Sequence, residues 1–399
     1  MRFDFITQAL RTSFTLMLTS SFFLAAPTLT GLCDEKEKDI ADTTSAKEKE
    51  DAKDKEETED PFAVPQDASV KELLAWINKV KRTPQPRVAA SVTAKKLFPA
   101  IIQACDLVIE QSPSDDDFQK AVEEKFSAYG VLSRYSPGAI QDLNALANRY
   151  ADDQRPKIAQ LAIAHLLSVR ASNIKEITAE NAQKLSDDSI AFLVRFGTNR
   201  STYSPVSTIA RSLGYSDHTE IAAVMHERLG QQLTGSDDEV LRKRSSKMVG
   251  AARRLRLPGN SMEITGITDN GDTFDWSSYR GKVVLVDFWA SWCGPCIAEI
   301  PNMKKNLERY GDQGFEIVGI NMDSTRAAFE KCVKDKEISW LSIVSEEEGK
   351  KGWDAPTADY YGVGAIPTAI LVDQQGKVVS LRARGAELDK LLEVLLAAP

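Results

Sequence analysis

The chain has 399 residues, 42% of them apolar, and a formal net charge of −8. That length calls for two or more domains, and 50 basic against 58 acidic residues give no excess of positive charge with which to hold a nucleic acid. Most of the negative charge comes from one segment. Residues 34–60 hold 13 acidic and 6 basic side chains (−7) and residues 1–33 contribute +1, so residues 61–399 carry −8 − 1 + 7 = −2.

Residues 1–33 read as a secretory signal, with Arg2 and Arg11 in a basic n-region and Ser13 to Ala26 as a short apolar core. That core is too short and too rich in Ser and Thr to read as a membrane span. Cleavage is expected between Thr30 and Cys33. An uncleaved anchor and lipidation at Cys33, behind a poor Thr-Gly-Leu lipobox, are the alternatives. Residues 34–66 read as a disordered acidic and Lys-rich linker, because they cannot bury enough apolar surface to fold alone.

Residues 67–256 are helical in pattern throughout. Apolar residues recur three and four apart in Val70, Leu73, Leu74, Ile77 and in Leu97, Ile101, Ile102, Cys105, Val108. Breaks at Thr83-Pro84-Gln85-Pro86, Ser112-Pro113, Ser136-Pro137-Gly138, Gly197 and Gly214-Tyr215 divide the region into seven to nine helices. Ser114 and Ser236, each followed by acids, read as N-caps. His165 reads as a core or edge histidine, and His218 and His226 as surface residues. The last helix, from Asp237 to about Leu255, collects Arg242, Lys243, Arg244, Lys247, Arg253, Arg254 and Arg256, and reads as a solvated helix whose charges suit its dipole, with docking onto an anionic surface as the alternative. No nucleophile–base pair or ligand cluster stands out here, so the region's task, with whatever partner it binds, is unassigned.

Leu257-Pro258-Gly259-Asn260 marks a boundary, after which strands alternate with helices: an opening hairpin around Asp269-Asn270-Gly271-Asp272, a buried strand from Val283, then strands Phe315–Asn321, Trp340–Ile343, Thr368–Asp373 and Lys377–Leu381, with helices Ser324–Lys334, Thr357–Tyr361 and Ala386–Leu396 between or after them. At the end of the buried strand the sequence reads Asp287-Phe288-Trp289-Ala290-Ser291-Trp292-Cys293-Gly294-Pro295-Cys296. Two cysteines in the first turn of a helix can close a small disulfide ring. The unpaired N–H groups and the helix dipole there favour a thiolate, the form that attacks disulfides. Pro295 suits a first helical turn, where its missing N–H costs nothing. A zinc half-site would need a second Cys/His pair. The remaining candidates, Cys33, Cys105, Cys332, His165, His218 and His226, offer no such pair.

These residues resemble the thioredoxin superfamily. The wider run, from Gly281 through Pro301 and again from Tyr361 to Val378, resembles its TlpA/ResA-type extracytoplasmic branch over residues 257–399, roughly a third of the chain. The resemblance implies a multidomain chain, an α-helical N-terminal domain followed by an α/β thioredoxin-like domain with a mixed central sheet and helices on both faces. It implies Cys293 as the exposed nucleophile and Cys296 as the resolving cysteine. Asp287 is implied as a buried acid that takes the proton of Cys296, and Glu299 as the acid this branch carries three residues after the second cysteine. It places substrate against Trp292, Gly294, Pro295 and the Ile366-Pro367 loop, with a cis bond before Pro367. No cofactor and no metal are implied. The expected function is thiol–disulfide exchange outside the cytoplasm, in the reducing direction, on protein disulfides and with electrons from a membrane thiol donor. An envelope scaffold that binds a partner through the helical domain, or a thiol peroxidase, are the alternatives. Cys105 and Cys332 read as buried small residues, with an inter-domain disulfide between them as the other reading.

Overall fold

A computed structural model describes residues 60–83 and 90–396. The signal and its Cys33, residues 34–59 of the linker and the Pro84–Pro86 break lie outside the described residues. Described residues 60–396 fall within one compact unit. Among them no helix is long and apolar enough to cross a membrane.

Ten α-helices make up the first part: α1 Val70–Arg82, α2 Ala90–Glu110, α3 Asp115–Leu132, α4 Gly138–Tyr150, α5 Pro156–Ser172, α6 Ala179–Phe196, α7 Arg200–Leu213, α8 Thr219–Thr234, α9 Glu239–Lys243 and α10 Ser245–Leu255. Their starts follow capping chemistry. Ser69 and Glu72 bond each other at the head of α1, and the Ser114 hydroxyl accepts from the Asp117 amide at the head of α3. Consecutive helices pack on one another in three cores, the first joining α1 to α3, the second α3 to α5 and the third α5 to α10. Phe62 and Val64 already pack against the first core, ahead of α1.

Two details differ from expectation. The final helix is two helices, and the cap of the first is Asp238, not Ser236. Its carboxylate accepts from the Val240 and Leu241 amides, and the turn at Arg244 separates α9 from α10. His226 is buried in α8 rather than exposed, and burial holds its pKa down at about 4. Cys105 and Cys332 are both buried free thiols, and burial pushes Cys105 up to about 12.

The second part is a six-stranded mixed sheet. Its strands are β1 Ile267–Thr268, β2 Val283–Trp289, β3 Phe315–Asn321, β4 Ser342–Val344, β5 Thr368–Val372 and β6 Val378–Ser380, in spatial order β1-β4-β3-β2-β5-β6. β2, β3 and β4 run parallel, while β5, β6 and β1 pair antiparallel to their neighbours. Helices α11 Gly294–Tyr310, α12 Arg326–Asp335, α13 Pro356–Tyr360 and α14 Gly385–Leu396 complete the α/β layers on both faces. All seven residues of β2 are buried, as a strand covered on both faces requires.

The helical part is seated directly on the α/β part. Leu257 belongs to the sheet's core, and the Gly259 amide donates to the Val378 carbonyl at 2.8 Å, so the boundary segment runs along the β6 edge. The Arg382 guanidinium donates to the Gly214 and Tyr215 carbonyls at 3.2 and 3.3 Å. The closest approach is between α10 and the end of α13. A Cβ added at Gly250 would lie 2.6 Å from the Gly362 nitrogen and 2.8 Å from the Asp359 and Tyr360 carbonyl oxygens.

Those neighbours are all backbone and cannot turn aside. Gly250→Ala should therefore destabilise the protein by about 1–3 kcal/mol, the usual scale of overpacking. Gly130→Ala, within α3 and with nothing inside 4 Å of the new methyl, should stabilise it by about 0.5–1 kcal/mol. Thermal or denaturant unfolding of the two variants beside the parent checks both signs.

Candidate active site

β2 ends at Trp289 and α11 begins at Gly294, and the four residues between them form the turn that carries the first cysteine. That turn is held from the side by Asp323, just beyond β3. Its buried carboxylate accepts from the Ser291 amide (3.0 Å), the Ser291 hydroxyl (2.6 Å) and the Asn321 side-chain amide (2.8 Å). The Met322 amide adds a bond to the Trp289 carbonyl at 2.9 Å.

Cys293 is the N-cap of α11 and is joined to Cys296 by a disulfide. The Cys296 amide donates to the Cys293 sulfur at 3.2 Å, so a first-turn N–H of the helix already points at that atom. The cysteines differ less in exposure than expected, at 5% for Cys293 and 2% for Cys296. The open rim consists of Trp292, Gly294 and Pro295. Trp292 is 57% exposed, and its ring meets that of Trp353 at a centroid distance of 6.1 Å.

The Ile366-Pro367 bond is cis. β5 pairs with β2 in the register Phe288↔Thr368 and Asp287↔Ala369, which sets Pro367 one step further along, beside the end of β2. Gly364 and Ala365 are exposed, and Ile366 and Pro367 are half-buried.

Asp287 lies in β2, six residues before Cys293, and is buried. Burial pushes its carboxyl up to about 7. The Arg384 guanidinium pulls against that rise, and the Glu299 carboxylate adds to it. Glu299, half-buried on α11, accepts from the Gly385 amide at 3.1 Å and so ties α11 to the start of α14. The structure thus gathers Asp287 and Glu299 into one electrostatic group. Arg384, Asp323 and Trp353 join the neighbourhood without having been singled out from sequence. Asp323 had a faint signal, as an acid two residues past a strand end. Arg384 and Trp353 had none, since only the tertiary fold brings them near.

Residues 256–394 match the Redoxin family. The thiol-disulfide oxidoreductase ResA of Bacillus cereus is 33% identical over 114 residues, 28% of this chain and 62% of that one. ResA of Bacillus thuringiensis subsp. konkukian is 30% identical over 131 residues, 33% of this chain and 71% of that one. The chain belongs to this ResA-like branch of the thioredoxin superfamily. It spans about 60% of the length of the Bacillus cereus relative, 62% in that alignment. The crystal structure of the thioredoxin domain of a thiol-disulfide oxidoreductase from Bacteroides vulgatus is 28% identical, with a TM-score of 0.32, and covers 35% of this chain and 97% of its own. The Redoxin match at residues 256–394 spans the sheet and its cysteines.

The raised Asp287 pKa has a consequence for stability. The unfolded chain ionises this carboxyl near 3.8 and the folded protein near 7, so the folded state holds the extra proton between those values. Stability from this group is full below about pH 4 and falls by roughly 4 kcal/mol as pH rises to 7, with no further loss above. Asp287→Asn removes the ionisation. Its melting temperature should match the parent's near pH 4 and exceed it by several degrees at pH 8. A constant difference across that range would show that the carboxyl does not titrate as its burial requires.

Proposed function

We propose that the protein is a thiol–disulfide oxidoreductase that acts outside the cytoplasm and reduces disulfides in protein substrates through Cys293 and Cys296. The observation that carries this reading is a disulfide at the N-terminus of α11, with a buried carboxyl of near-neutral pKa in the strand that leads to it. The secretory pattern of residues 1–33 supports the location. The Cys-Gly-Pro-Cys sequence supports the reducing direction, since thioredoxin's potential is about −270 mV.

In the dithiol form, the Cys293 thiolate attacks one sulfur of the substrate disulfide. A Cys293–substrate disulfide forms and the other substrate sulfur leaves as a thiolate, which takes a proton from water. Asp287 in its ionised form accepts the Cys296 proton, and the Cys296 sulfur attacks the Cys293 sulfur. The second substrate thiolate leaves with a proton, and the Cys293–Cys296 disulfide returns. Two electrons and two protons have passed to the substrate, and an external dithiol, in the cell a membrane thiol donor, restores the protein. Glu299 helps to raise the pKa of Asp287, and the Ile366-Pro367 loop offers backbone groups to an extended substrate chain. Trp292, Gly294 and Pro295 form the surface it meets first. Residues 257–399 carry this chemistry.

Cys296→Ser should accumulate mixed disulfides with substrate through Cys293, because the resolving attack is lost, and Cys293→Ser should accumulate almost none. Asp287→Asn should slow resolution by about 10²-fold, the lower range for a general base, and should erase a rate increase with pH centred near 7. Mass spectrometry of trapped species and stopped-flow kinetics read these outcomes. Equal trapping by both Ser variants would overturn the assignment. Cell fractionation tests the location, and full-length protein confined to the cytosol would refute it.

A further inference from the structure

The chain between β4 and β5 contributes two segments that α10 of the helical part holds. One is Trp353–Asp354, whose tryptophan ring meets that of Trp292. The Lys247 ammonium donates to the Trp353 carbonyl at 3.1 Å and pairs with the Asp354 carboxylate at 2.6 Å. The other is Tyr360–Gly362, which leads into the Ile366-Pro367 loop. Arg253 bonds the Tyr360 carbonyl and lies 3.8 Å from its ring centroid, and Arg254 donates to the Tyr361 and Gly362 carbonyls at 2.8 and 2.7 Å. Gly250 lets α10 approach this segment backbone to backbone. Arg253 and Arg254, expected to face solvent, instead satisfy carbonyls at the end of α13, a five-residue helix.

Trp292 and Trp353 remain 57% and 37% exposed although both are large and apolar. Tryptophans in this state are the side chains that most often dominate a contact surface, because each offers much apolar area with few rotamers to fix. Their rings meet at 54°, tilted rather than stacked face to face, which leaves apolar faces open beside Cys293. The position decides the occupant. Trp292 directly precedes Cys293 in the chain, which puts the exposed pair within reach of a residue next to a substrate cysteine held at the Cys293 sulfur.

We propose that Trp292 and Trp353 form an aromatic clamp for an aromatic or large apolar residue next to the reactive cysteine of an extended polypeptide substrate, and that α10 positions the clamp through Lys247. The proposal rests on the oxidoreductase reading above. It gives the helical part a task in substrate selection. Lys247 touches no substrate, and it acts by fixing the backbone that carries Trp353.

The test uses the full-length protein charged with dithiothreitol and two synthetic peptides that each contain one disulfide. One peptide has tryptophan beside each cysteine and the other has glycine. The readout is the ratio of kcat/KM for the first over the second, with each variant's rate on a small symmetric disulfide as reference. The parent should favour the tryptophan peptide about 10-fold, through KM. Trp353→Ala should bring the ratio close to one, and Trp353→Phe should keep most of it. Lys247→Met should lower the ratio and Lys247→Arg should restore it, which loss of stability alone would not produce. A parent ratio near one, or a ratio unmoved by Trp353→Ala, overturns the clamp. A ratio lost in Trp353→Ala but kept in Lys247→Met overturns the role of α10. A parent that reduces no disulfide at all overturns the oxidoreductase reading, and the clamp with it.

Discussion

The pairing of β2 with β3 on one side and β5 on the other is the constraint on which the rest depends. Seven buried residues in register commit the backbone groups of β2 to the sheet, and a slip of one residue would turn Asp287 to the opposite face. With the register set, three features follow together. The chain leaves the sheet at Trp289 and must start α11 close by. The cysteine at the head of that helix sits against unpaired amides. The residue before β5, Pro367, arrives beside the same junction. Asp323 removes the remaining freedom by holding Ser291 from the neighbouring strand's end.

The parts legible in the sequence were those with local causes. The β2 run is apolar and β-branched without interruption, and the cysteines sit where a helix must begin, so the sheet's centre and its reactive pair needed no partner to be seen. α14 was placed within one residue of its start, and the cis bond was expected from a proline in family context. What was missed depends on contacts distant in sequence. His226 reads as a surface residue beside Glu227 and Arg228, yet the packing of α8 on its neighbours buries it. Ser236 looked like a cap, yet its hydroxyl bonds the Thr198 carbonyl and leaves the capping to Asp238.

The basic residues of α10 show the same limit in a sharper form. From composition alone, cations at a helix C-terminus are explained by that helix's own dipole. Here Arg253 and Arg254 turn to the carbonyls of another chain segment some hundred residues later, and Arg256 pairs with Glu220 and Glu227 of α8. A local electrostatic rule sufficed to explain these residues and therefore concealed a longer-range use of the same charge. Leu257-Pro258-Gly259-Asn260, which reads as a domain boundary, likewise commits backbone groups to the β6 edge.

The Asp287 site shows how a stability cost can be set by structure some distance from the cysteines. An isolated buried carboxyl would remain protonated well above neutral pH and would be a poor base, while a fully paired one would have too low a pKa to hold a proton. Asp287 lies between these limits because two charges oppose one another around it, Arg384 lowering its pKa and Glu299 raising it. Both enter through one place, the start of α14. Arg384 immediately precedes that helix, and the Gly385 amide fixes the Glu299 carboxylate. A shift of α14 along its axis would alter both charges at once. The helix that closes the fold is in this sense part of the acid–base apparatus. The anchoring of α14 against α11, through Asn302 to the Gly385 carbonyl and Asn306 to Asp389, then bears on proton transfer as well as on packing.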